Sequence, residues 1–180
     1  MENLDPTIVR AIAKDVQYEL NRAGDGWELT LRRHFNQAPE RLWTMITEPA
    51  QLAKWSPIVP DRPLTSAGPA VSRENPDDDP VAADVIEVDP PRLLVHRWGS
   101  DELRWLISPD GAGSLLELRQ RFVSREMAGS YGAGWRICLG TLAVQDDGDM
   151  HERVVGQRAM AYDWAMYRDR FDGDFPIDQR

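Results

Sequence analysis

Between residues 81 and 123 the sequence contains four short segments in which apolar and polar residues interleave, separated by tight turns. The segments are VAADVIEV, LLVHRWG, ELRWLIS and SLLELRQRFV, and the turns include DPPR and PDGAG. Alternation is the pattern of half-buried strands, and connections this short join antiparallel neighbours. The sequence therefore predicts a four-stranded antiparallel meander, against which the other elements must pack.

Helices and one more strand are predicted before the meander. Asp5 followed by a proline is typical of the start of a helix. Apolar residues then recur every four positions, and this spacing predicts an amphipathic helix over residues 6–22. A strand is predicted over residues 27–35, where the alternation is clear. Two short helices flank a bend at Pro49, and the second of them turns Trp55 inward.

Two further helices are predicted after the meander. The segment GAGWRICLGTL predicts a long helix that ends near Gly148. Gly129, Gly132 and Gly134 are expected to precede the regular helix and to fray its start, either as a gate or as a plain flexible connection. A tail helix is predicted from a stripe of residues spaced three or four apart, namely Met160, Trp164, Tyr167 and Phe171.

Charge and cysteine content exclude several classes of protein. The formal net charge is −9, which repels a phosphate backbone, so nucleic acid is not expected as a partner. Cys138 is the single cysteine, so no intramolecular disulfide can form, which fits a cytoplasmic location. We expect Cys138 to act as a small buried hydrophobic residue and its neighbour Arg136 to point to water.

Metal sites and membrane insertion are not expected either. His34, His96 and His151 stand far apart and form none of the spacings typical of metal ligands, and no other cofactor motif is present, so no metal or cofactor is predicted. The sequence has no apolar run of roughly 20 residues, the length needed to span a bilayer. No membrane insertion is therefore predicted.

Three segments together resemble a known family. FNQAPERLWTMITEPAQLAKW, VDPPRLLVHRWGSDELRWLISPDGAGSLLELRQRF and AGWRICLGTL are similar to the corresponding parts of the Activator of Hsp90 ATPase homologue 1-like (AHSA1) branch of the START/Bet v 1-like (SRPBCC) superfamily. The ending GQRAMAYDWAMYRDRF resembles the tail of many bacterial members. The resemblance implies an α+β helix-grip fold, in which a curved antiparallel sheet wraps a long C-terminal helix and leaves a cavity.

The same resemblance suggests a division of the chain into three parts. Residues 25–148 would form the helix-grip domain. Residues 1–24 would add an N-terminal helix, and residues 149–180 a tail helix packed on the same domain. Periodicity does not decide whether the added helices pack on their own domain or in a homodimer, so both a monomer and a homodimer remain open.

The candidate ligand-binding residues lie on the inner face of the sheet, on the helix that covers it and, for Trp55, on the second short helix. The apolar candidates, with the roof formed by the last two, are Trp55, Ile86, Trp98, Leu103, Trp105, Leu118, Phe122, Trp135 and Leu139. Aromatic walls suit flat, apolar ligands. The alternative is that these side chains meet and fill the core.

Three polar residues are also predicted on the inner face, namely Arg33, His96 and Gln120. They could orient a ligand, an inward arginine being suited to a carboxylate or phenolate. Alternatively Arg33 pairs with a carboxylate such as Asp84, and His96 bonds to Gln120 or to a backbone carbonyl, because buried polar groups need partners.

The sequence and the resemblance leave three functions open. The main prediction is binding of a small hydrophobic or aromatic molecule in the cavity between the sheet and the C-terminal helix, without defined catalysis, because spacing fixes no catalytic pair. A second is a polyketide cyclase- or aromatase-like enzyme, with His96 as the base and Arg33 steadying an enolate. A third is a co-chaperone-like or regulatory interaction module related to activators of the Hsp90 ATPase.

Overall fold

A six-stranded antiparallel sheet packed against one long helix forms the centre of the molecule. The computed structural model describes residues 2–145 and 151–177. The helices are α1 (Pro6–Ala13), α2 (Pro39–Thr47), α3 (Pro49–Leu52), α4 (Ala128–Val144), α5 (Gln157–Ala161) and α6 (Trp164–Asp174). The strands are β1 (Gln17–Ala23), β2 (Gly26–Phe35), β3 (Val59–Pro60), β4 (Val71–Arg73), β5 (Val81–Ala82), β6 (Val85–Asp89), β7 (Leu93–Trp98), β8 (Asp101–Asp110) and β9 (Gly113–Phe122).

The predicted meander is confirmed. The large sheet has the order β1-β2-β9-β8-β7-β6, so β6 to β9 are consecutive antiparallel neighbours and β2 joins the meander beside β9. The short helices α2 and α3 follow β2 on either side of the proline bend, as predicted. Strands β3 and β4, in the proline-rich segment of residues 56–80, form a separate three-stranded sheet with β5. The first two residues of the predicted first meander strand, Val81–Ala82, therefore belong to that smaller sheet and not to the meander.

The N-terminal helix is shorter than the prediction of residues 6–22, which is wrong in its second half. The helix ends after two turns, and β1 then pairs with β2 as an edge strand of the large sheet. Apolar residues spaced by four also fit a period of two here, because Val16, Tyr18 and Leu20 alternate with polar residues and pack on the core. Gly24, with φ at +59°, closes the tight turn into β2.

The inward placement of Ile86 is also wrong. The pairing of β6 with β7 shifts between Val85 and Glu87, which marks a β-bulge. Val85 is buried opposite His96, whereas the side chain of Ile86 is 46% exposed. A bulge adds one residue to the strand and so breaks the strict alternation on which the prediction depends.

The glycines near the start of α4 lie inside the helix and not before it, contrary to the prediction. Two of them allow α6 to approach closely, since a Cβ atom at Gly129 would lie 2.2 Å from a carboxylate oxygen of Asp172, and one at Gly132 would lie 2.8 Å from the ring of Phe171. The predicted helix end near Gly148 falls outside the described residues.

The glycines of α4 support a paired stability prediction. A Cβ atom at Gly140 would lie 2.9 Å from the backbone of Ile12 in α1, whereas one at Gly134 would meet no atom within 4 Å. We expect Gly140→Ala to lower the free energy of unfolding by about 1–2 kcal/mol, because overpacking outweighs the gain in helix propensity. Gly134→Ala should raise it by about 0.5–1 kcal/mol. Urea unfolding of both variants measures the difference, and equal shifts would contradict the close approach of α1.

The tail forms two helices where a single one is predicted. Asp163 adopts a left-handed conformation, with φ at 64°, and separates α5 from α6. The predicted stripe is therefore split: Met160 is 56% exposed, whereas Phe171 is buried and meets the ring of Tyr18 edge-on at 5.1 Å. The tail thus packs on the sheet and α4 of its own chain.

Two buried arginines hold the C-terminal end of α1. Arg136 does not point to water as predicted, but is 6% exposed and donates hydrogen bonds to the carbonyls of Ile12, Ala13 and Lys14. Nη1 of Arg33 donates to the carbonyl of Ala11 at 2.8 Å. The last carbonyls of a helix have no partner within the helix, so these guanidinium groups satisfy them.

Candidate functional site

Three tryptophans interlock between the sheet and α4. The rings of Trp55 and Trp105 meet edge-on at 6.0 Å, and those of Trp105 and Trp135 at 5.5 Å. All three side chains are buried. Nε1 of Trp55 donates to the carbonyl of Met45 at 3.0 Å, so its polar atom has a partner in the protein. The predicted aromatic wall and roof are thus in mutual contact at this point.

His96 is enclosed within the same cluster. Its Nε2 accepts a hydrogen bond from Nε1 of Trp105 at 2.9 Å, so Nδ1 carries the proton and donates to the carbonyl of Arg97 at 2.9 Å. Burial lowers the pKa of His96 from 6.5 to about 4. Both ring nitrogens are engaged and the imidazole is neutral at pH 7, so it has no free nitrogen to take a proton from a substrate.

Gln120 joins α4 to the start of β8 through two hydrogen bonds. Its side-chain oxygen accepts from Nε1 of Trp135 at 2.7 Å, and its nitrogen donates to Oδ2 of Asp101 at 2.8 Å. His96 therefore has the expected backbone-carbonyl partner, and Gln120 contacts groups other than His96. Asp84, the partner suggested for Arg33, accepts instead from the backbone N–H of Ala70 at 3.0 Å.

An apolar groove lies beside this cluster, at the end of β7. We call it the α4 groove; it has a volume of about 290 Å³ and is partly open to solvent. Residues of one face of α4, the tail, the end of β7 and the proline-rich segment line it: Pro57, Glu74, Trp98, Ser130, Tyr131, Gly134, Trp135, Cys138, Val154, Val155, Gly156, Ala159, Met160 and Trp164. Its volume is at the lower end of the range for small-molecule sites.

Of the predicted ligand-binding residues, Trp98 and Trp135 line the α4 groove. The rings of these two meet at 5.4 Å, so Trp98 continues the aromatic cluster to the surface. Most of the others lie in the buried core and its polar contacts: Trp55, His96, Leu103, Trp105, Leu118, Gln120, Phe122 and Leu139. Ile86 faces outward. Leu29 of β2 pairs with Gln120 of β9, and Arg33 lies four residues beyond Leu29 along β2.

Several groove residues escape sequence reasoning because the chain brings them together from distant segments. The loop supplies Pro57 and Glu74, and the tail supplies Val155 and Trp164. Of these four, only Trp164 has a signal in the sequence, the apolar stripe of the tail, and that signal favours packing as readily as binding.

Two ionisable side chains of the groove, Cys138 and Tyr131, are held in their neutral forms. Burial raises the pKa of Cys138 to about 12, which keeps its thiol protonated and unreactive. Burial and the carboxylate of Asp101 raise the pKa of Tyr131 to about 12. The α4 groove thus offers a mostly apolar surface to a bound molecule, with Glu74 as the one acidic side chain among its described lining residues.

The described part of the chain holds no group of three or more His, Cys, Asp or Glu side chains able to bind a metal ion. Within those same residues, no helix has the length and apolar character needed to cross a membrane.

The antiparallel sheet, the two short helices after β2 and the long helix α4 define a helix-grip protein, which confirms the fold expected from the sequence. The family described as Activator of Hsp90 ATPase homolog 1-like protein matches residues 36–144. This match covers more than half of the chain, so the chain belongs to that family. No curated protein matches the sequence significantly.

Solved structures support the same fold over nearly the whole chain. The crystal structure of CalU16 from Micromonospora echinospora is 20% identical, with a TM-score of 0.68, over 92% of this chain and 99% of CalU16. A conserved protein of unknown function from Enterococcus faecalis, EF2215, is 15% identical, with a TM-score of 0.69, over 94% of this chain and 95% of its own. DynU16, from the dynemicin biosynthetic locus, is 20% identical, with a TM-score of 0.57, over 64% of this chain and 45% of DynU16. Identities this low establish the shared fold alone.

Proposed function

We propose that the protein binds a small, apolar or aromatic molecule in the α4 groove. The observation that carries this proposal is the groove itself, a recess of about 290 Å³ between α4, the end of β7 and the tail, walled by apolar side chains. Binding sites for small molecules are concave and mostly apolar, with few polar groups. The groove has this character.

The position of the proposed site differs from the one expected from the sequence. The space directly between the sheet and α4 is occupied by the rings of Trp55, Trp105 and Trp135. A ligand there would have to displace hydrogen-bonded, close-packed side chains, which is costly. The open groove at the edge of the same cluster requires no such rearrangement.

The groove walls favour a flat ligand about the size of two fused aromatic rings. Trp98, Trp135 and Trp164 present ring surfaces, which give large contact area at little cost in side-chain entropy. Glu74 and Ser130 supply a carboxylate and a hydroxyl that could accept a hydrogen bond from a polar end of the ligand. We therefore propose 2-naphthol as the first probe.

Filling the groove should block binding without harming the fold. A side chain at Gly134 would point into open space in the groove, so Gly134→Leu should occupy part of the volume that the ligand needs. We expect this variant to weaken binding of 2-naphthol about tenfold or more, because a bound ring would overlap the leucine. Quenching of tryptophan fluorescence and isothermal titration calorimetry would measure the change.

Gly173→Leu is the matched control for this variant. Gly173 also lies in a helix, α6, with no atom within 4 Å of its would-be Cβ, and it does not line the groove. Replacing either glycine should preserve or raise the melting temperature, since leucine favours helix. Equal binding by both variants and the unchanged protein would place the ligand elsewhere, and absence of binding by the unchanged protein would remove this ligand class.

A further inference from the structure

A second pocket lies on the far side of the molecule from the end of β7, between α1, the end of β2 and the end of α4. We call it the α1–β2 pocket; its volume is about 540 Å³. It is lined by Thr7, Arg10, Ala11, Lys14, Asp15, Arg33, His34, Phe35, Asn36, Ala143 and Val144. It shares no lining residue with the α4 groove.

Arg33 forms the inner wall of this pocket, and its hydrogen-bonding capacity is not used up. The side chain is 4% exposed, and Nη1 donates to the carbonyl of Ala11. Nε is buried and has no hydrogen-bond partner among the residues that the structure describes. Capping of α1 therefore uses one edge of the guanidinium group and leaves a buried donor without an acceptor. An unpaired buried donor is costly, and a bound acceptor would remove that cost.

The charges around Arg33 are mainly of the same sign. Arg10 and Lys14 line the pocket with it, whereas Asp15 is the one carboxylate among the described lining residues. His34 directs its Nδ1 to Asp110, at 2.9 Å. Burial, together with the charge of Arg136, lowers the pKa of Arg33 to about 10. A cationic pocket of this kind stands out in a chain whose formal net charge is −9.

We propose that the α1–β2 pocket binds an oxyanion, a phosphate or carboxylate group carried by a small molecule, with Arg33 at its inner wall and Arg10 and Lys14 at its rim. A guanidinium group presents planar N–H donors whose geometry matches the oxygens of both groups. The rim cations attract the anion and neutralise its remaining charge. This site is separate from the α4 groove and does not depend on the function proposed for that groove.

Two titrations test the proposal, one with inorganic phosphate and one with succinate. Together they separate the two sources of oxyanion, a phosphate group and a carboxylate group. Melting temperature and calorimetric heats are measured against sodium chloride at equal ionic strength, since a ligand that binds the native state must stabilise it. We expect saturable stabilisation by at least one of the two anions, weakened by added salt. No stabilisation beyond that given by chloride, in both arms, would overturn the proposal.

Variants identify the pocket as the site of binding. Arg10→Gln with Lys14→Gln should weaken binding by about 2- to 30-fold, the range expected for two partly screened ion pairs, and these rim changes leave the buried contacts of Arg33 in place. Arg92→Gln with Arg97→Gln is the control, because it removes the same charge from exposed positions around β7, and it should leave binding unchanged. Equal weakening by the two pairs would overturn the site, since it would show a response to net charge alone.

Arg33→Met tests the inner wall of the pocket. Methionine fills much of the volume of the arginine side chain but has no donor, so this variant should abolish anion binding. Retention of anion binding by this variant would overturn the role of Arg33. If it fails to fold, the rim pair still decides the proposal. Gly134→Leu should bind the anion as the unchanged protein does, so failure at one site is distinguishable from failure at the other.

Discussion

Replacing Arg136 by alanine is expected to lower the free energy of unfolding by about 3–4 kcal/mol. The buried guanidinium group donates to three carbonyls at the end of α1 and lies 4.6 Å from the centre of the Tyr167 ring. Hydrogen bonds from a charged donor contribute about 1.5–3 kcal/mol each, and their joint loss is less than the sum because removing Arg136 also relieves its repulsion of Arg33. Urea unfolding measures the change.

Arg168→Ala is the matched control for this variant. Arg168 also lies in a helix, with its guanidinium group 5.1 Å from the centre of the Trp164 ring, but it pairs with the exposed carboxylate of Asp169 and with no helix end. Its loss should cost less than about 1 kcal/mol. Hydrogen exchange adds a local test, since amides of α1 and of the start of β1 should lose protection in Arg136→Ala. A decrease in the free energy of unfolding no larger than that of Arg168→Ala would contradict the capping role of Arg136.

The sequence predicts those parts of the fold that are determined by local alternation. The meander, β2 and the two short helices around Pro49 all follow from apolar patterns and turn residues within each segment. The N-terminal segment is different, because Val16 and Leu20 continue the four-residue spacing of a helix from Ile8, and together with Tyr18 they also fit the alternation of a strand. Pairing with β2 decides in favour of the strand, and that contact is not local.

The candidate site depends even more on long-range contacts. The aromatic identity of Trp98 and Trp135 makes them candidates, but only the packing of the tail on α4 converts the edge of the aromatic cluster into a groove. Arg136 is a similar case: it is the one charged residue of α4, and only the position of α1 shows that its charge is matched by carbonyl dipoles. Periodicity identifies which side chains face inward, whereas the partner that each one meets follows from the assembled fold.

Acidification should destabilise the protein through His96. The pKa of His96 is lowered to about 4 by burial, whereas in the unfolded chain it returns to about 6.5. Between these two values the unfolded chain binds a proton that the native state does not, so stability falls as the pH falls. The stability that neutral His96 contributes is complete above pH 6.5, and about 3 kcal/mol of it is lost by pH 4. Protonation would also place an N–H at Nε2 of His96 against the N–H of Trp105.

His96→Gln should remove most of this loss. The glutamine oxygen can accept from Nε1 of Trp105 without titrating, so urea unfolding between pH 7 and 4.5 should show a pH dependence smaller by about 2–3 kcal/mol than in the unchanged protein. Carboxylates whose pKa values are lowered by partners, such as Asp5 and Glu117, contribute equally to both proteins and cancel in the comparison. His34→Gln, at an exposed position, should retain the contribution of His96.

Nuclear magnetic resonance titration of the His96 ring measures its pKa directly. It also tests whether His96 can act in catalysis. We expect a titration midpoint well below 6, because neutral His96 has one nitrogen engaged by Trp105 and the other by the Arg97 carbonyl. A general base operates best with a pKa near the working pH and within reach of its substrate. A midpoint near 6.5 would show that solvent reaches the ring, and would return His96 to consideration as the base of a cyclase-like reaction.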